Sequence, residues 1–145
     1  MKKILVVDDE PLNIHVLVGL LKDKYKVIAA KSGEQALKAV NSSNKPDLIL
    51  LDIMMPEMDG YEVCTRLKAD SNTKDIPVIF ISAKSSVLDE TKGLALGAVD
   101  YITKPVSPAI VQARVHTHLA LQEAKELVKR MEKELTDLRD SSSAL

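Results

Sequence analysis

The chain has 145 residues, 46% of them hydrophobic, which is enough for one domain with a buried core and an appendage. Its 20 basic and 21 acidic residues leave a net charge of -1, so no global field would recruit nucleic acid or anionic lipid. The single Cys64 excludes an internal disulfide, and no apolar run is long enough for a signal peptide or a membrane span. We therefore expect a soluble cytoplasmic protein.

Short apolar runs alternate with helical patterns five times along the chain. The predicted strands are Lys3–Val7, Lys26–Ala30, Leu48–Leu51, Pro77–Ile81 and Val99–Thr103. The predicted helices cover residues 11–21, 32 to about 40, 61–69, 85–96 and 107 to about 139, and Leu12, Val16 and Leu20 share one face of the first. Such alternation implies parallel strands with helices on both faces, so we predict an α/β fold with the flavodoxin-like strand order 2-1-3-4-5.

Asp52 follows the most apolar of these strands. The aliphatic run Leu48–Leu51 lies between Asp47 and Asp52, is too short for a buried helix, and fits a central strand that is covered on both faces. In open α/β sheets, ligands bind beyond the carboxyl ends of the strands, which is where Asp52 falls. The sequence therefore points to Asp52 as the central functional residue.

Other polar residues follow the ends of the neighbouring strands. Asp8 and Asp9 follow the first strand, Ser82 the fourth and Lys104 the fifth, so a parallel sheet brings them to the same edge as Asp52. Three carboxylates ~5 Å apart would repel by roughly 3 kcal/mol per pair at an effective dielectric constant of ~20. A divalent cation would offset this repulsion, and oxygen ligands of this kind suit Mg²⁺.

This group of residues predicts a chemistry as well as a metal. An ionised Asp52 could attack phosphorus and form an aspartyl phosphate. Phosphoryl transfer needs its equatorial oxygens neutralised, and Mg²⁺, the Lys104 ammonium and the Ser82 hydroxyl are the groups at this edge that could do so. We expect Asp9 and Asp52 to be direct metal ligands and Asp8 to act through water.

Taken singly, these residues have ordinary structural explanations. An aspartate after an apolar run is commonly a strand end, and Asp8 with Asp9 could simply cap the first helix. Tyr101 alone would be half-buried packing, and Cys64 is expected to be a small buried residue. Only the joint placement of the polar residues at one edge favours the functional interpretation.

Four segments, in order and at the ends of four predicted strands, resemble the receiver domain of two-component response regulators. They are Val6–Glu10, Leu51–Gly60, Ile81–Ala83 and Asp100–Pro105. The resemblance covers about residues 1 to 120. It implies that Asp52 accepts a phosphoryl group from a histidine kinase or a histidine phosphotransfer protein.

The resemblance also implies the remaining roles in the site. The Mg²⁺ site would consist of Asp8, Asp9, Asp52 and the main-chain carbonyl of Met54. Lys104 would hold the phosphoryl oxygens. The chain would be a phosphoacceptor that loses its own phosphoryl group, rather than an enzyme acting on a separate substrate.

A conformational switch is implied as well. Ser82 would move towards the phosphoryl oxygens, and Tyr101 would turn into the space it leaves, which would alter the surface of the fourth helix, fifth strand and fifth helix. The peptide bond between Lys104 and Pro105 would be the cis bond of the family. These changes would control a partner or an output domain.

Two other classes of protein fit part of the pattern. A phosphatase of the haloacid dehalogenase type also forms an aspartyl phosphate at a strand end, but it needs an acid two residues later, where Met54 stands. A flavodoxin-like cofactor binder would have a phosphate-cradling loop after the first strand, and this chain has Asp8-Asp9-Glu10 there with few aromatic residues. Both readings are weaker than the receiver.

The last predicted helix is longer than a receiver needs. Thirty-three helical residues span ~50 Å, against ~35 Å for a domain of this size, so its second half must project. Its apolar residues are spaced 3, 4, 3, 4, 3, as in an a/d seam: Leu121, Ala124, Val128, Met131, Leu135 and Leu138. We predict a receiver at 1–120, a helical extension at 121–145 with a frayed end at Ser141–Ser143, and a homodimer through 121–138. The alternative is a single solvated helix.

Overall fold

The computed structural model describes residues 1–84 and 86–143, in which five strands alternate with five helices. The strands are β1 (Lys3–Val7), β2 (Lys26–Ala30), β3 (Leu48–Leu51), β4 (Val78–Ser82) and β5 (Asp100–Thr103). The helices are α1 (Pro11–Leu21), α2 (Gly33–Val40), α3 (Gly60–Ala69), α4 (Val87–Ala95) and α5 (Pro108–Ser143).

The strands form one parallel sheet in the order β2-β1-β3-β4-β5. This is the predicted flavodoxin-like order, which is thereby confirmed. The central strand β3 is buried along its whole length, as its run of aliphatic residues indicated. Since β1 and β3 are neighbours, Val7 lies beside Leu51, and the segments that follow these two strands leave the sheet at the same edge.

Helices cover both faces of the sheet because both faces are apolar. Ile4 and Val6 of β1 belong to a core that includes side chains of α1 and α5. Leu5 and Val7 point the other way, into a core that includes α2 and α3. Alternate side chains of β1 therefore enter two different hydrophobic layers, and neither face of the strand is turned to solvent.

Local sequence signals explain where several helices begin or end. Pro11 occupies the first turn of α1, Ser32 caps α2 through the Gln35 N–H, and Asp59 caps α3 through the Glu62 N–H. Gly97, with φ at +107°, takes the left-handed conformation after α4 that glycine adopts without strain. Of the predicted start of α4, Ser85 lies outside the described residues.

The face of α1 that Leu12 and Val16 share is not the one that packs on the sheet. Leu12 and Val16, placed on a common face from their spacing, are 70% and 44% exposed, and the buried residues are Ile14, Leu17 and Leu21. The helix is apolar nearly all round, so spacing alone does not identify the side that packs on the sheet.

Helix α5 runs unbroken from Pro108 to Ser143, four residues beyond the predicted end near Arg139. Ser141 and Ser142 are therefore helical, where we expected fraying; no Gly or Pro stops the helix before them. Among the residues of α5 whose burial is described, the last buried one is Leu119. Residues 120–143 extend about 35 Å further at about 1.5 Å per residue. Among the described helices, none is both long and apolar enough to cross a bilayer.

Candidate functional site

Main-chain hydrogen bonds fix the polar residues at one edge of the sheet. The N–H of Asp52 donates to the Val7 carbonyl at 2.9 Å, which ties the residue after β3 to the end of β1. The Lys104 N–H donates in the same way to the Ser82 carbonyl at 2.8 Å. The parallel ladder therefore continues one residue beyond the strands and sets the directions of these side chains.

The three carboxylates of the predicted metal site lie together. Carboxylate oxygens of Asp8, Asp9 and Asp52 are all within 4.8 Å of one another. Asp8 and Asp52 are 1% and 6% exposed, and Asp9 is partly exposed, so the group faces solvent from one side. Three oxygen donors, two of them buried and one partly exposed, fit a divalent cation that keeps several of its waters, as Mg²⁺ does.

Lys104 supplies the positive charge of this site. Its Nζ lies 2.9 Å from Asp8 Oδ2 and 3.5 Å from Asp52 Oδ1. Burial alone would lower the pKa of Lys104, but the hydrogen bond to Asp8 and the charge of Asp52 outweigh it and raise that pKa. The ammonium therefore stays charged at neutral pH next to the carboxylate predicted to accept phosphate.

The surroundings of Asp52 shift the pKa of its carboxyl group. Burial, followed by the negative charge of Asp8, raises the pKa of Asp52 to about 6, while Lys104 and a main-chain hydrogen bond from Met54 oppose the rise. At neutral pH the group is still mainly ionised and hence nucleophilic. The Met54 side chain is 57% exposed, and the part of its main-chain carbonyl in metal binding stays a prediction.

Ser82 and Tyr101, the two predicted switch residues, are both buried and meet at Lys84. The Ser82 hydroxyl accepts a hydrogen bond from the Lys84 N–H at 3.2 Å. The Tyr101 hydroxyl donates to the Lys84 carbonyl at 2.6 Å, and burial raises the pKa of Tyr101 to about 12. The ring is 8% exposed, so the structure records its inward position; the outward position stays a prediction.

Close packing under the site was not foreseen from the sequence. A Cβ added to Gly60 would collide with the Asp52 carbonyl oxygen and lie 2.8 Å from the Ile53 Cα. The Gly60 N–H donates to the Ile53 carbonyl at 2.8 Å. Gly60, the first residue of α3, therefore also lets the loop after Asp52 fold back against the main chain of that residue.

Three further residues connect β5 with α5. The Asp100 carboxylate accepts two hydrogen bonds from Arg114, at 2.8 and 2.9 Å, and lies 2.9 Å from His118 Nε2. Burial opposes ionisation, but the hydrogen bonds from His118 and Arg114 lower the pKa of Asp100.

As the resemblance implied, the bond between Lys104 and Pro105 is cis. Cys64 is fully buried, and burial raises its pKa.

Fold and site together define a doubly wound α/β domain with an acidic, lysine-bearing pocket at the carboxyl edge of its sheet. The sequence profile described as "Response regulator receiver domain" matches residues 4–116. The chain therefore belongs to the response regulator receiver domain family, the phosphoacceptor class of two-component systems, as the motifs predicted.

Relatives of known name support this assignment. The chain is 47% identical over 125 residues to a "Probable cyclic di-GMP phosphodiesterase" of Vibrio cholerae, which covers 86% of the chain and 28% of that protein. It is 46% identical over 123 residues to the "Alkaline phosphatase synthesis transcriptional regulatory protein PhoP" of Bacillus subtilis, covering 84% of the chain and 50% of that protein. The chain thus spans half or less of the length of these relatives.

A solved structure agrees in fold. The N-terminal domain of a response regulator receiver protein from Methanoculleus marisnigri JR1 has a TM-score of 0.66 and 43% sequence identity to the chain. The match covers 88% of the chain and 96% of that domain.

Proposed function

We propose that this chain accepts a phosphoryl group on Asp52 from the phosphohistidine of a histidine kinase or a histidine phosphotransfer protein. A carboxylate oxygen of Asp52 would form a bond to phosphorus as the bond from phosphorus to the imidazole nitrogen breaks. The observation that carries the proposal is the buried Asp52 with Asp8 and Asp9 on one side and the Lys104 ammonium at 3.5 Å.

Each residue of the pocket has a part in that reaction. Asp8, Asp9 and Asp52, with the Met54 carbonyl, would hold Mg²⁺. When bound, Mg²⁺ neutralises the negative charge of the phosphoryl oxygens and of the carboxylates. Lys104 would leave Asp8 and neutralise a further phosphoryl oxygen.

The reaction needs no separate substrate beyond the phosphodonor, so the chain would be a signalling phosphoacceptor rather than an enzyme with its own turnover. Ser82 would donate a hydrogen bond to a phosphoryl oxygen, and the resulting shift at Lys84 would hold Tyr101 in its inward position. The chain would act in the cytoplasm, without direct contact to nucleic acid or membrane.

Phosphorylation by a small donor tests this proposal. With Mg²⁺ and acetyl phosphate, the protein should gain one acid-stable, base-labile phosphoryl group, because Asp52 is ionised and accessible from one side. Asp52→Asn should not be labelled, whereas the exposed control Asp23→Asn should be labelled like the unaltered protein. Label that persists on Asp52→Asn, or that is equal in the presence of a chelator, would contradict the mechanism.

We also propose that residues 1–120 act as the receiver and that 121–138 form a parallel homodimer. Leu121 follows Leu119 by two residues, or about 200° around the helix, so the seam faces away from the side of α5 that packs on the sheet. Along the seam, Val128 is 52% and Leu135 64% exposed, and both would be covered by a second copy. The resulting pair would pass changes at the receivers to a partner or an output domain.

A further inference from the structure

Helix α4 is the least deeply packed helix on the sheet. Its only buried residue is Gly93, while Val87 and Leu88 are 78% and 83% exposed. By contrast, α3 buries five residues. The position of α4 therefore depends on a few contacts, and each of them can be assigned.

Three aromatic rings in a row support α4. Phe80 lies in the middle, with ring centroids 5.6 Å from Tyr61 and 6.2 Å from Tyr101. A Cβ added to Gly93 would lie 2.9 Å from Phe80 and 3.2 Å from Tyr101, so the helix backbone rests directly on these two rings. The third ring has two cations over it: the Lys92 ammonium of α4 lies 4.2 Å from the Tyr61 ring centroid, and the Lys84 ammonium lies 6.0 Å from it.

The same ring carries a polar group that this arrangement leaves unpaired. Among the described residues, the Tyr61 hydroxyl is the one buried side-chain oxygen or nitrogen with no hydrogen-bond partner. Burial, the main cause, raises the pKa of Tyr61. A buried hydroxyl without a partner disfavours the conformation that buries it. A cation over the face of the ring favours that conformation.

Water has a route to the hydroxyl once α4 moves. Tyr61 and Lys92 both line a groove of about 630 Å³ beside α3. If Lys92 leaves the ring, water from the groove can hydrogen-bond the hydroxyl. The two residues thus act in opposite directions on one equilibrium, between the docked α4 seen here and a displaced α4.

We propose that Tyr61 and Lys92 set the position of α4 and thereby the strength of the coupling between α4 and Asp52: Lys92 holds the helix down on Tyr61, and the unpaired Tyr61 hydroxyl loosens it. The docked helix contacts the inward ring of Tyr101. Under the proposed function, on which this inference rests, phosphorylation holds Tyr101 inward, so it also favours the docked helix. Tyr61 and Lys92 are positioning residues, because neither touches the phosphoryl group.

Two substitutions that nearly keep the size of the side chain should therefore have opposite effects on the binding of beryllofluoride, a phosphoryl mimic, in the presence of Mg²⁺. Lys92→Met removes the nearer of the two cations and should weaken binding about two- to fivefold. Tyr61→Phe keeps the ring, removes the hydroxyl and should tighten binding at least about twofold. Lys92→Arg retains a cation and should bind like the unaltered protein. Binding can be followed by titration calorimetry.

Matched controls separate this effect from the loss of any lysine charge or any tyrosine hydroxyl. Lys38→Met removes an exposed lysine from α2, and Tyr25→Phe removes a hydroxyl on the opposite face of the sheet; neither should change beryllofluoride binding. Effects of Lys92→Met and Tyr61→Phe in the same direction, or no effect of either, would overturn the inference.

A second measurement does not depend on phosphorylation. Hydrogen exchange of the α4 amides in the ion-free protein should be faster in Lys92→Met and slower in Tyr61→Phe. If the unaltered protein does not bind beryllofluoride, the proposed function fails while this result still decides the part of Tyr61 and Lys92. Unchanged exchange in both variants would refute that part.

Discussion

At the scale of single residues, Asp52 is the residue of the site that most lowers the free energy of unfolding. Its carboxylate is buried beside Asp8, and its pKa is raised to about 6. Between about pH 4 and pH 6 the folded protein therefore binds a proton that the unfolded chain releases, so the free energy of unfolding falls as the pH rises through this window. Above about pH 6 the whole penalty is present.

Asp52→Asn should consequently stabilise the ion-free protein. At pH 7 the free energy of unfolding should rise by about 1–3 kcal/mol. A pKa raised by roughly two pH units corresponds to a gain of about 3 kcal/mol, and the loss of the interactions with Lys104 and Met54 reduces this gain. Near pH 4 the difference should vanish. Urea denaturation with a chelator, at several pH values, measures it. An equal difference at pH 4 and pH 7 would contradict the assigned cause.

The sequence could predict which polar residues meet at the edge of the sheet, but not the contacts that those residues make. Asp8, Asp52, Ser82 and Lys104 each end a recognisable apolar strand, and parallel strands bring such ends together. The hydrogen bond from Tyr101 to the Lys84 carbonyl and the placement of Lys92 over Tyr61 depend on how α4 rests on the sheet. No spacing within the chain encodes that docking, so sequence reasoning missed it.

At the scale of elements, the local sequence explains where helices begin, but it does not identify which face of a helix is buried. Ser32 and Asp59 cap their helices as their side chains dictate. The inner face of α1 could not be predicted, because Ile14, Leu17 and Leu21 repeat as regularly as the residues with which they alternate, and only the tertiary fold decides between the two sets. Periodicity identifies a face only when the opposite face is polar.

Two glycines in or at the start of helices should respond oppositely to an added methyl group. Gly60→Ala should lower the free energy of unfolding by about 1–3 kcal/mol or more and slow labelling by acetyl phosphate, since the new Cβ would strike main-chain atoms of Asp52 and Ile53. Gly19→Ala, with nothing within 4 Å, should raise it by about 0.5–1 kcal/mol. Urea denaturation of both variants would show the sign; a stable Gly60→Ala with normal labelling would refute the close packing.

At the scale of the whole molecule, the projecting half of α5 offers an apolar stripe to a second copy. Each seam residue that is fully buried contributes about 1.5–3 kcal/mol, against an association cost of about 4–15 kcal/mol. Six positions, one of them only Ala124, are consistent with a dimer of about micromolar affinity.

Sedimentation equilibrium tests the dimer. The unaltered chain should associate, whereas Leu135→Lys and a chain ending at Gln122 should sediment as monomers, because each loses apolar contact along the seam. The exposed substitution Lys133→Glu, outside the a/d positions, serves as the control and should leave association largely unchanged. Three monomers would mean that residues 121–138 form a solvated single helix.

The unbroken course of α5 also sets a rotational phase. Every residue turns an α-helix by about 100°, so the terminal segment of α5 before Ser143 faces a direction fixed by the number of residues that separate it from Leu119. Removing seven residues from the projecting half would restore that direction to within about 20°, whereas removing two or four would turn the segment by about 160° or 40°. The helix therefore transmits orientation as well as distance, and its length matters in steps of a heptad.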